Sequence, residues 1–143
     1  MKQAKLAVVA MLVMVFSIMA VAQQLIASPT IVVQVPFEFV AANKIVPAGE
    51  CEVQAITMDG RTLMIRNGDA KVSLFASTSR TESKQSARNY TLVFNRYGGR
   101  YFLTGVKLEG SKITYLLPES RAEVELRAQK TPSTEETLVA TLK

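Results

Sequence analysis

The sequence predicts an all-β protein, either an antiparallel sandwich or a small barrel of about seven to nine strands, with one short helix near the C-terminus. Three features favour this class. Apolar and polar residues alternate along several short runs, turn-forming residues separate those runs, and a helical pattern occurs only late in the mature region. The sequence does not decide between the sandwich and the barrel.

The first predicted strand lies in "IVVQVPFEF", residues 31–39. Its odd positions are all apolar, and the even side carries Gln34, Pro36 and Glu38. A period of two indicates a strand with one buried face. Pro36 cannot donate a ladder hydrogen bond, so we expect this strand to be an edge strand or to bulge there.

A second strand follows the turn "VPAG", in which Pro47 presets φ and Gly49 supplies a positive φ. Cys51, Val53 and Ala55 then share one face of the strand, and polar residues occupy the other. We expect Cys51 to be a buried, unreactive thiol. It is the only cysteine in the chain, so no internal disulfide can form.

The dipeptide Asn67-Gly68 predicts a β-hairpin, because it suits a two-residue turn between strands. A two-residue loop gives a definite register, in which apolar residues meet on one face. The predicted cross-strand pairs are Arg66 with Asp69, Ile65 with Ala70 and Leu63 with Val72.

A second hairpin is predicted in "VFNRYGGRYFL", residues 93–103, with positive φ at both Gly98 and Gly99. The register places Phe94 opposite Leu103. The residues beside the turn form predicted cation–π pairs and a candidate partner surface: Arg96 with Tyr101, and Tyr97 with Arg100. The residue order does not fit an RNA-recognition strand or a phosphate-binding loop.

The remaining segments are polar or short. Residues 77–89 have no apolar period and predict a long surface loop, which we expect to be mobile. Ser120 and Glu123 have the spacing of a capping box, which predicts a short helix near residues 121–129. Residues 131–143 are either a tail or a terminal strand. We assign residues 23–130 to one β domain, which precedes this last segment.

The N-terminus has the form of a secretory signal peptide over residues 1–22. Two lysines precede an uncharged apolar run, and Ala20-Val21-Ala22 precedes Gln23. This order predicts cleavage between Ala22 and Gln23 and export to the periplasm or the extracellular space, with membrane contact only through the signal peptide. The alternative is a retained membrane anchor, because the run approaches the length that spans a bilayer.

The charge and composition exclude several functions. Loss of Lys2 and Lys5 would lower the formal net charge from +5 by two, which is too weak a bias to predict nucleic-acid binding. The chain has no histidine, so it cannot build a Ser-His-Asp triad or a cysteine–histidine pair, and it lacks zinc ligands. We therefore predict no enzyme, no cofactor and no metal site.

Two glutamates are the nearest candidates for a catalytic pair. Glu50 and Glu52 lie two residues apart on one strand and therefore on one face, which we interpret as a solvated face. Spacing alone leaves open a glycosidase-type pair made from distant carboxylates.

Three stretches together resemble an uncharacterised family of small exported β-rich proteins of Gram-negative soil bacteria. They are "VPFEFVAANKIVPAGECEVQ", "TLVFNRYGGRYFLTGV" and "LPESRAEVELRAQ". The resemblance implies export and an antiparallel β fold, and it implies no catalytic or binding residue. Cys51 stands where the family's turn motif has an aromatic residue, so we expect different local packing.

These observations predict an exported, non-catalytic β domain that binds an unknown envelope protein or surface polymer. The alternative is a carrier of a small apolar ligand inside a β-barrel. The small residues Cys51, Ala55 and Ala70 would leave room for such a ligand.

Overall fold

The computed structural model describes residues 28–143, so the expected signal peptide and its cleavage site between Ala22 and Gln23 lie outside the described residues. The described residues form eleven strands and one helix. The strands are β1 (Thr30–Val35), β2 (Phe39–Ala41), β3 (Lys44–Val46), β4 (Gly49–Ala55), β5 (Thr62–Asn67), β6 (Val72–Ser77), β7 (Ser79–Glu82), β8 (Tyr90–Tyr97), β9 (Arg100–Lys107), β10 (Ile113–Leu116) and β11 (Thr134–Leu142). The helix is α1 (Arg121–Ala128).

The strands form one nearly closed, barrel-like sheet. Nine of them follow the order β3-β2-β9-β8-β11-β1-β4-β5-β6, and all neighbours are antiparallel except β2 and β9. The strand β7 follows β6 after the single residue Thr78 and pairs with β10, which pairs in turn with β9. This second connection brings the two sides of the sheet together. The predicted all-β class with a short C-terminal helix is confirmed, and the architecture is the barrel.

Inward-facing side chains from almost every strand fill the barrel. The largest of them are fully buried: Ile31, Phe39, Ile65, Leu74, Leu92 and Phe94. In β1 the predicted alternation holds, because Val33 and Val35 are buried with Ile31. The strand ends before Pro36, so residues 31–39 contribute to two strands rather than one, and β1 lies between β4 and β11 with a regular register. Both expectations for Pro36, an edge strand and a bulge, are therefore wrong.

The Asn67-Gly68 hairpin forms, but its predicted register is wrong. Asn67 lies opposite Val72, and Ile65 lies opposite Leu74 rather than Ala70. The cause is the Asn67 side chain, which is buried: its Nδ2 donates to the Pro47 carbonyl (2.9 Å) and its Oδ1 accepts from the Ala70 amide (3.1 Å). The loop therefore spans residues 68–71.

The register of that hairpin moves without turning the strand over. Leu63 meets Ala76 instead of Val72, which is a displacement of four residues along β6. An even displacement keeps the apolar side chains on the inner face, so the buried pattern was predicted although the pairs were not.

The second hairpin has the predicted pairs: Phe94 with Leu103, Arg96 with Tyr101, and Tyr97 with Arg100. Positive φ occurs at Gly98 (61°) but not at Gly99, so the expectation for Gly99 is wrong. Positive φ at only the first central residue is the pattern of a type II′ turn.

Residues 77–89 are not one long loop. Ser79–Glu82 forms β7, whose four side chains are all exposed. This strand is held by backbone hydrogen bonds to β10 and not by burial of its side chains. Its sequence therefore shows no apolar alternation. The remaining loop is held to its neighbour, since the Ala87 amide donates to the Ser111 carbonyl and the Gly110 amide donates to the Ala87 carbonyl, both at 2.9 Å.

The predicted helix forms, but not its capping box. The Ser120 hydroxyl makes no side-chain capping bond, and the Glu123 carboxylate turns toward the sheet. The Asn43 side chain, in the β2–β3 turn, instead accepts a hydrogen bond from the Arg121 amide (2.8 Å). A residue far along the chain therefore supplies the cap.

Glu123 anchors α1 to the outer face of the barrel through hydrogen bonds to β8. Its carboxylate is 2% exposed and accepts hydrogen bonds from Asn95 Nδ2 (2.8 Å) and the Tyr97 hydroxyl (3.2 Å). After the helix the chain forms β11, which pairs with both β8 and β1. Of the two alternatives for residues 131–143, the structure has the terminal strand. No helix among residues 28–143 is long and apolar enough to cross a membrane.

Candidate functional site: the mouth of the barrel

Several loops meet at one end of the barrel, which we call the mouth. The loop of residues 56–61 joins β4 to β5, the loop of residues 83–89 joins β7 to β8, and the loop of residues 108–112 joins β9 to β10. The registers place these loops together, because Thr30 pairs with Gln54, Thr91 pairs with Lys107, and Ile31 pairs with Leu142. The start of β1 and the end of β11 complete the mouth.

A pocket of about 150 Å³ opens at the mouth, and we call it the mouth pocket. Buried core side chains form its inner part: Ile31, Val53, Leu63 and Val106. Its outer part contains Ser28, Pro29, Ala55, Thr57, Met58, Gly60, Leu108 and Tyr115. None of these described lining residues is charged, so the pocket suits an apolar group.

Tyr115 and Gly60 form one wall of the mouth pocket by close contact. Gly60 has φ of 71°, and a Cβ built on it would lie 2.3 Å from the Tyr115 ring. Only glycine allows this approach. The Arg80 guanidinium lies 5.8 Å from the centre of the Tyr115 ring, which is within cation–π range.

The loop of residues 56–61 is held by its own hydrogen bonds. The Ile56 amide donates to the Thr62 carbonyl (2.9 Å) and the Gly60 amide donates to the Thr57 carbonyl (3.0 Å). The Thr57 hydroxyl accepts from the Thr62 amide (3.1 Å). These bonds fix a tight turn that has Met58 near its tip.

Asp59 belongs to the same turn. Its carboxylate accepts a hydrogen bond from the Arg61 amide (3.1 Å), which lowers the pKa of Asp59 below its usual value, and the Thr57 side chain and the Arg61 charge lower it further. Asp59 also forms an ion pair with the Arg61 side chain at 3.0 Å. The charge of Asp59 is therefore locally balanced.

Apolar side chains are exposed around the mouth. Met58 is 92% exposed, Ile56 is 49% exposed and Leu142 is 54% exposed. Leu142 is on the same inward-facing side of β11 as buried Ala140. It lies at the open end of the barrel and is therefore exposed. Clustered exposed apolar residues mark a binding surface more often than isolated ones do.

Three exposed cations also lie at the mouth: Lys84, Arg88 and Lys112, which we call the basic rim. Among residues 28–143, the ion pairs involve other cations, such as Arg61 with Asp59 and Lys143 with Glu52. The basic rim is carried by the two loops that are hydrogen-bonded to each other through Ala87.

The surface predicted beside Gly98-Gly99 lies away from the mouth, and its four residues do not share one face. Arg96 lies over Tyr101, 5.5 Å from the ring centre, as predicted. The predicted pairing of Tyr97 with Arg100 by stacking is wrong, because Arg100 lies over Phe102 at 5.4 Å.

Tyr97 is 6% exposed and therefore contributes to packing rather than to a surface. Its ring contacts Phe102 edge to face at 5.6 Å between centres. Burial raises the pKa of the Tyr97 hydroxyl, and the nearby Glu123 charge raises it further. Alternation alone could not show this, because the outer face of β8 is covered by α1.

Cys51 is fully buried, as predicted. Burial raises the pKa of its thiol to about 11, with smaller contributions from Asp69 and Glu50. Cys51 does not line the mouth pocket, and Ala70 is an exposed loop residue. Of the three small residues that suggested a cavity, only Ala55 lies in it.

The carboxylates of β4 lie on the outer face, as predicted. Glu52 pairs with Lys143 and Arg66, and hydrogen bonds from Lys143 first and Arg66 second lower the pKa of Glu52. Glu50 accepts a hydrogen bond from Gln34 Nε2 at 3.0 Å. Within the described part of the chain, no group of three or more metal-ligating side chains comes together.

No family model matches the chain, and no curated protein or solved structure is significantly similar to it. The resemblance to a family of exported proteins therefore stays a prediction. The mouth pocket was missed from the sequence because its residues come from four separate segments of the chain: 28–31, 53–63, 106–108 and Tyr115. The one local signal was "TMDG", a turn that places an apolar side chain at its tip.

Proposed function

We propose that this chain is an exported, non-catalytic binding domain whose mouth pocket receives an apolar group of an envelope component. The observation that carries this proposal is an uncharged pocket at the one end of the barrel where Met58, Ile56 and Leu142 are exposed. Export rests on the signal-peptide pattern of residues 1–22, which directs the domain to the periplasm or the extracellular space.

The size of the pocket limits what can enter it. An apolar cavity of about 150 Å³ accommodates a group as large as benzene, whereas sites for whole small molecules usually measure about 300–1,000 Å³. The rest of the barrel is filled by Phe39, Phe94 and other fully buried side chains. The pocket therefore suits one ring or the end of one chain, and the rest of the bound component stays outside.

The lining gives no support for catalysis. Its polar groups are the hydroxyls of Ser28, Thr57 and Tyr115, and no carboxylate or amine among the described residues lines the pocket with them. General acid–base chemistry most often uses a histidine or a carboxylate positioned against the substrate, and Tyr115 is the one ionisable side chain among the described lining residues. Binding without chemical change is the function that this lining supports.

The second candidate is a carrier of a small apolar ligand, which the same uncharged lining favours. A carrier encloses its ligand, so the core beneath Val53 and Leu63 would have to open further than the 150 Å³ of the pocket. The two candidates differ in a simple measurement. A carrier purified from the native envelope retains a stoichiometric small molecule, and the binding domain does not.

The binding proposal can be tested by filling the pocket. Ala55→Leu adds apolar volume to the lining, and Ala70→Leu adds the same volume to an exposed loop as a matched control. Titration of the purified protein with benzene, followed by NMR, should shift the signals of Leu63 and Tyr115 in the parent and in Ala70→Leu. In Ala55→Leu the affinity should fall at least about tenfold.

Thermal unfolding of both variants checks that the barrel is intact. Shifts that are spread over the whole surface, or equal binding by Ala55→Leu and the parent, would show that the mouth pocket is not the site. The folded Ala70→Leu variant should show the same benzene-induced NMR shifts as the parent.

A further inference from the structure

We propose that the mouth docks on the surface of an anionic lipid bilayer. The apolar group that the mouth pocket receives is then the end of a lipid acyl chain. This inference rests on the proposed function and names the partner. It also goes beyond the sequence-based expectation that membrane contact ends with the signal peptide.

The apolar tip of the mouth is suited to a lipid interface. Met58 is the most exposed large apolar side chain in the described residues, and Ile56 precedes it in the same turn. The backbone amides of Ile56 and Gly60 are already bonded within the loop. The tip can therefore enter a region of low polarity without leaving those two donors unpaired.

The basic rim gives the charge that an anionic surface requires. Lys84, Arg88 and Lys112 are exposed at the same end of the barrel as the apolar tip, on two loops that are hydrogen-bonded to each other. Glu82 and Glu109 lie at the same end. With half-buried Lys107 included, these cations outnumber those two carboxylates two to one. Long cationic side chains place their charge among headgroups while their stems remain in apolar surroundings.

The composition of the mouth favours lipid over a protein partner. Protein interfaces are enriched in aromatic residues, methionine and arginine and depleted in lysine, so Met58 and Arg88 suit either partner, whereas the lysines and the lack of exposed aromatic residues among the described residues of the mouth favour lipid. The exposed apolar residues at the mouth are the aliphatic Ile56, Met58 and Leu142, and two of the three basic-rim residues are lysines. Exposed apolar residues combined with lysines on one surface are typical of peripheral membrane contact.

The other parts of the surface provide internal controls. At the opposite end of the barrel Ile45 is 62% exposed, and on the barrel wall Phe75 is 64% exposed. Each is more exposed than Ile56, but neither belongs to the loops of the mouth. Lys44 and Lys71 are exposed cations near the end away from the mouth.

Flotation with vesicles tests the inference. The purified protein should bind vesicles of phosphatidylglycerol and phosphatidylcholine at least about tenfold more tightly than vesicles of phosphatidylcholine alone. The pair Ile56→Ser and Met58→Ser should abolish most binding, whereas Phe75→Ser should not. Lys84→Glu with Lys112→Glu should weaken binding at least about tenfold, whereas Lys44→Glu with Lys71→Glu, the same charge change, should weaken it less.

Three results would overturn lipid docking: no vesicle binding, equal binding to both kinds of vesicle, or equal losses in the mouth variants and their controls. Benzene binding in the mouth pocket is measured on the same preparation. If benzene binds and vesicles do not, lipid docking is wrong and the proposed binding function stands. If benzene does not bind, the proposed function is wrong. Lipid docking then stands only if the mouth variants lose vesicle binding and their controls keep it.

Discussion

Single residues explain where this barrel departs from its sequence pattern. Asn67 was expected at a tight turn, where asparagine tolerates positive φ, but its buried amide joins Pro47 to the hairpin and lengthens the loop. Gly49 was expected to take positive φ and does so, at 139°. Turn propensity was therefore a reliable guide at Gly49 and an unreliable one at Asn67, whose side chain has a distant partner.

Gly98 and Gly99 should respond differently to substitution. Gly98→Ala forces a Cβ into a φ of 61°, and we expect it to lower the free energy of unfolding by about 1–2 kcal/mol. Gly99→Ala should cost about 0.5 kcal/mol or less, because Gly99 has no positive φ and no atom lies within 4 Å of an added Cβ. Urea denaturation of both variants measures the difference, and equal costs would contradict the type II′ assignment.

The Cys51 thiol should be protected in the folded protein. Its pKa is raised to about 11 from 9.0 by burial, so the stability that the neutral thiol contributes is fully present below pH 9 and is lost as the pH rises toward 11. We expect rapid labelling by a thiol reagent only after unfolding in urea. Cys51→Ala should show a smaller loss of stability between pH 9 and 11. Rapid labelling of the native protein would contradict the burial.

At the scale of elements, apolar alternation predicted the strands that face the core and failed for those that do not. The strand β7 has four exposed side chains and exists through backbone pairing with β10, which no local pattern reports. The helix α1 was predicted from the spacing of Ser120 and Glu123, but Glu123 binds the sheet instead of the helix end. The predicted helix is confirmed, but the capping box that predicted it does not form.

Glu123 therefore provides a test of how α1 is fastened. Glu123→Ala leaves the Asn95 amide and the Tyr97 hydroxyl without this acceptor, and we expect a loss of about 1–3 kcal/mol in the free energy of unfolding. Glu125→Ala, on the exposed side of the same helix, should change it by less than about 0.5 kcal/mol. Chemical denaturation of the two variants gives the comparison. Similar losses would mean that the buried carboxylate does not hold the helix.

For the molecule as a whole, the all-β class could be predicted from the sequence, but the closure of the sheet into a barrel and the mouth pocket could not. The pocket depends on Gly60 lying against Tyr115, and these residues belong to loops and strands that only the closed sheet brings together. The exposed Met58 is visible in the sequence as a methionine in a turn, but its partners are not. The expected exposure of Tyr97 is wrong because a helix from later in the chain hydrogen-bonds to its hydroxyl and covers it.

Export is a property of the whole chain and has a direct test. We expect protein recovered from the periplasm or the culture medium to begin at Gln23, because the small residues before it form a peptidase site. Intact mass spectrometry measures the N-terminus. Recovery of only the full-length chain, in the membrane fraction, would favour the retained anchor instead.

The claim that the mouth is the binding surface is tested most directly by photo-cross-linking in the native envelope. A photoreactive amino acid replaces Met58 at the mouth in one variant and Phe75 on the barrel wall in the other, since both side chains are exposed. Mass spectrometry of the products should find adducts with phospholipid at position 58 and not at position 75. Equal adducts at both positions, or adducts only at position 75, would contradict the account.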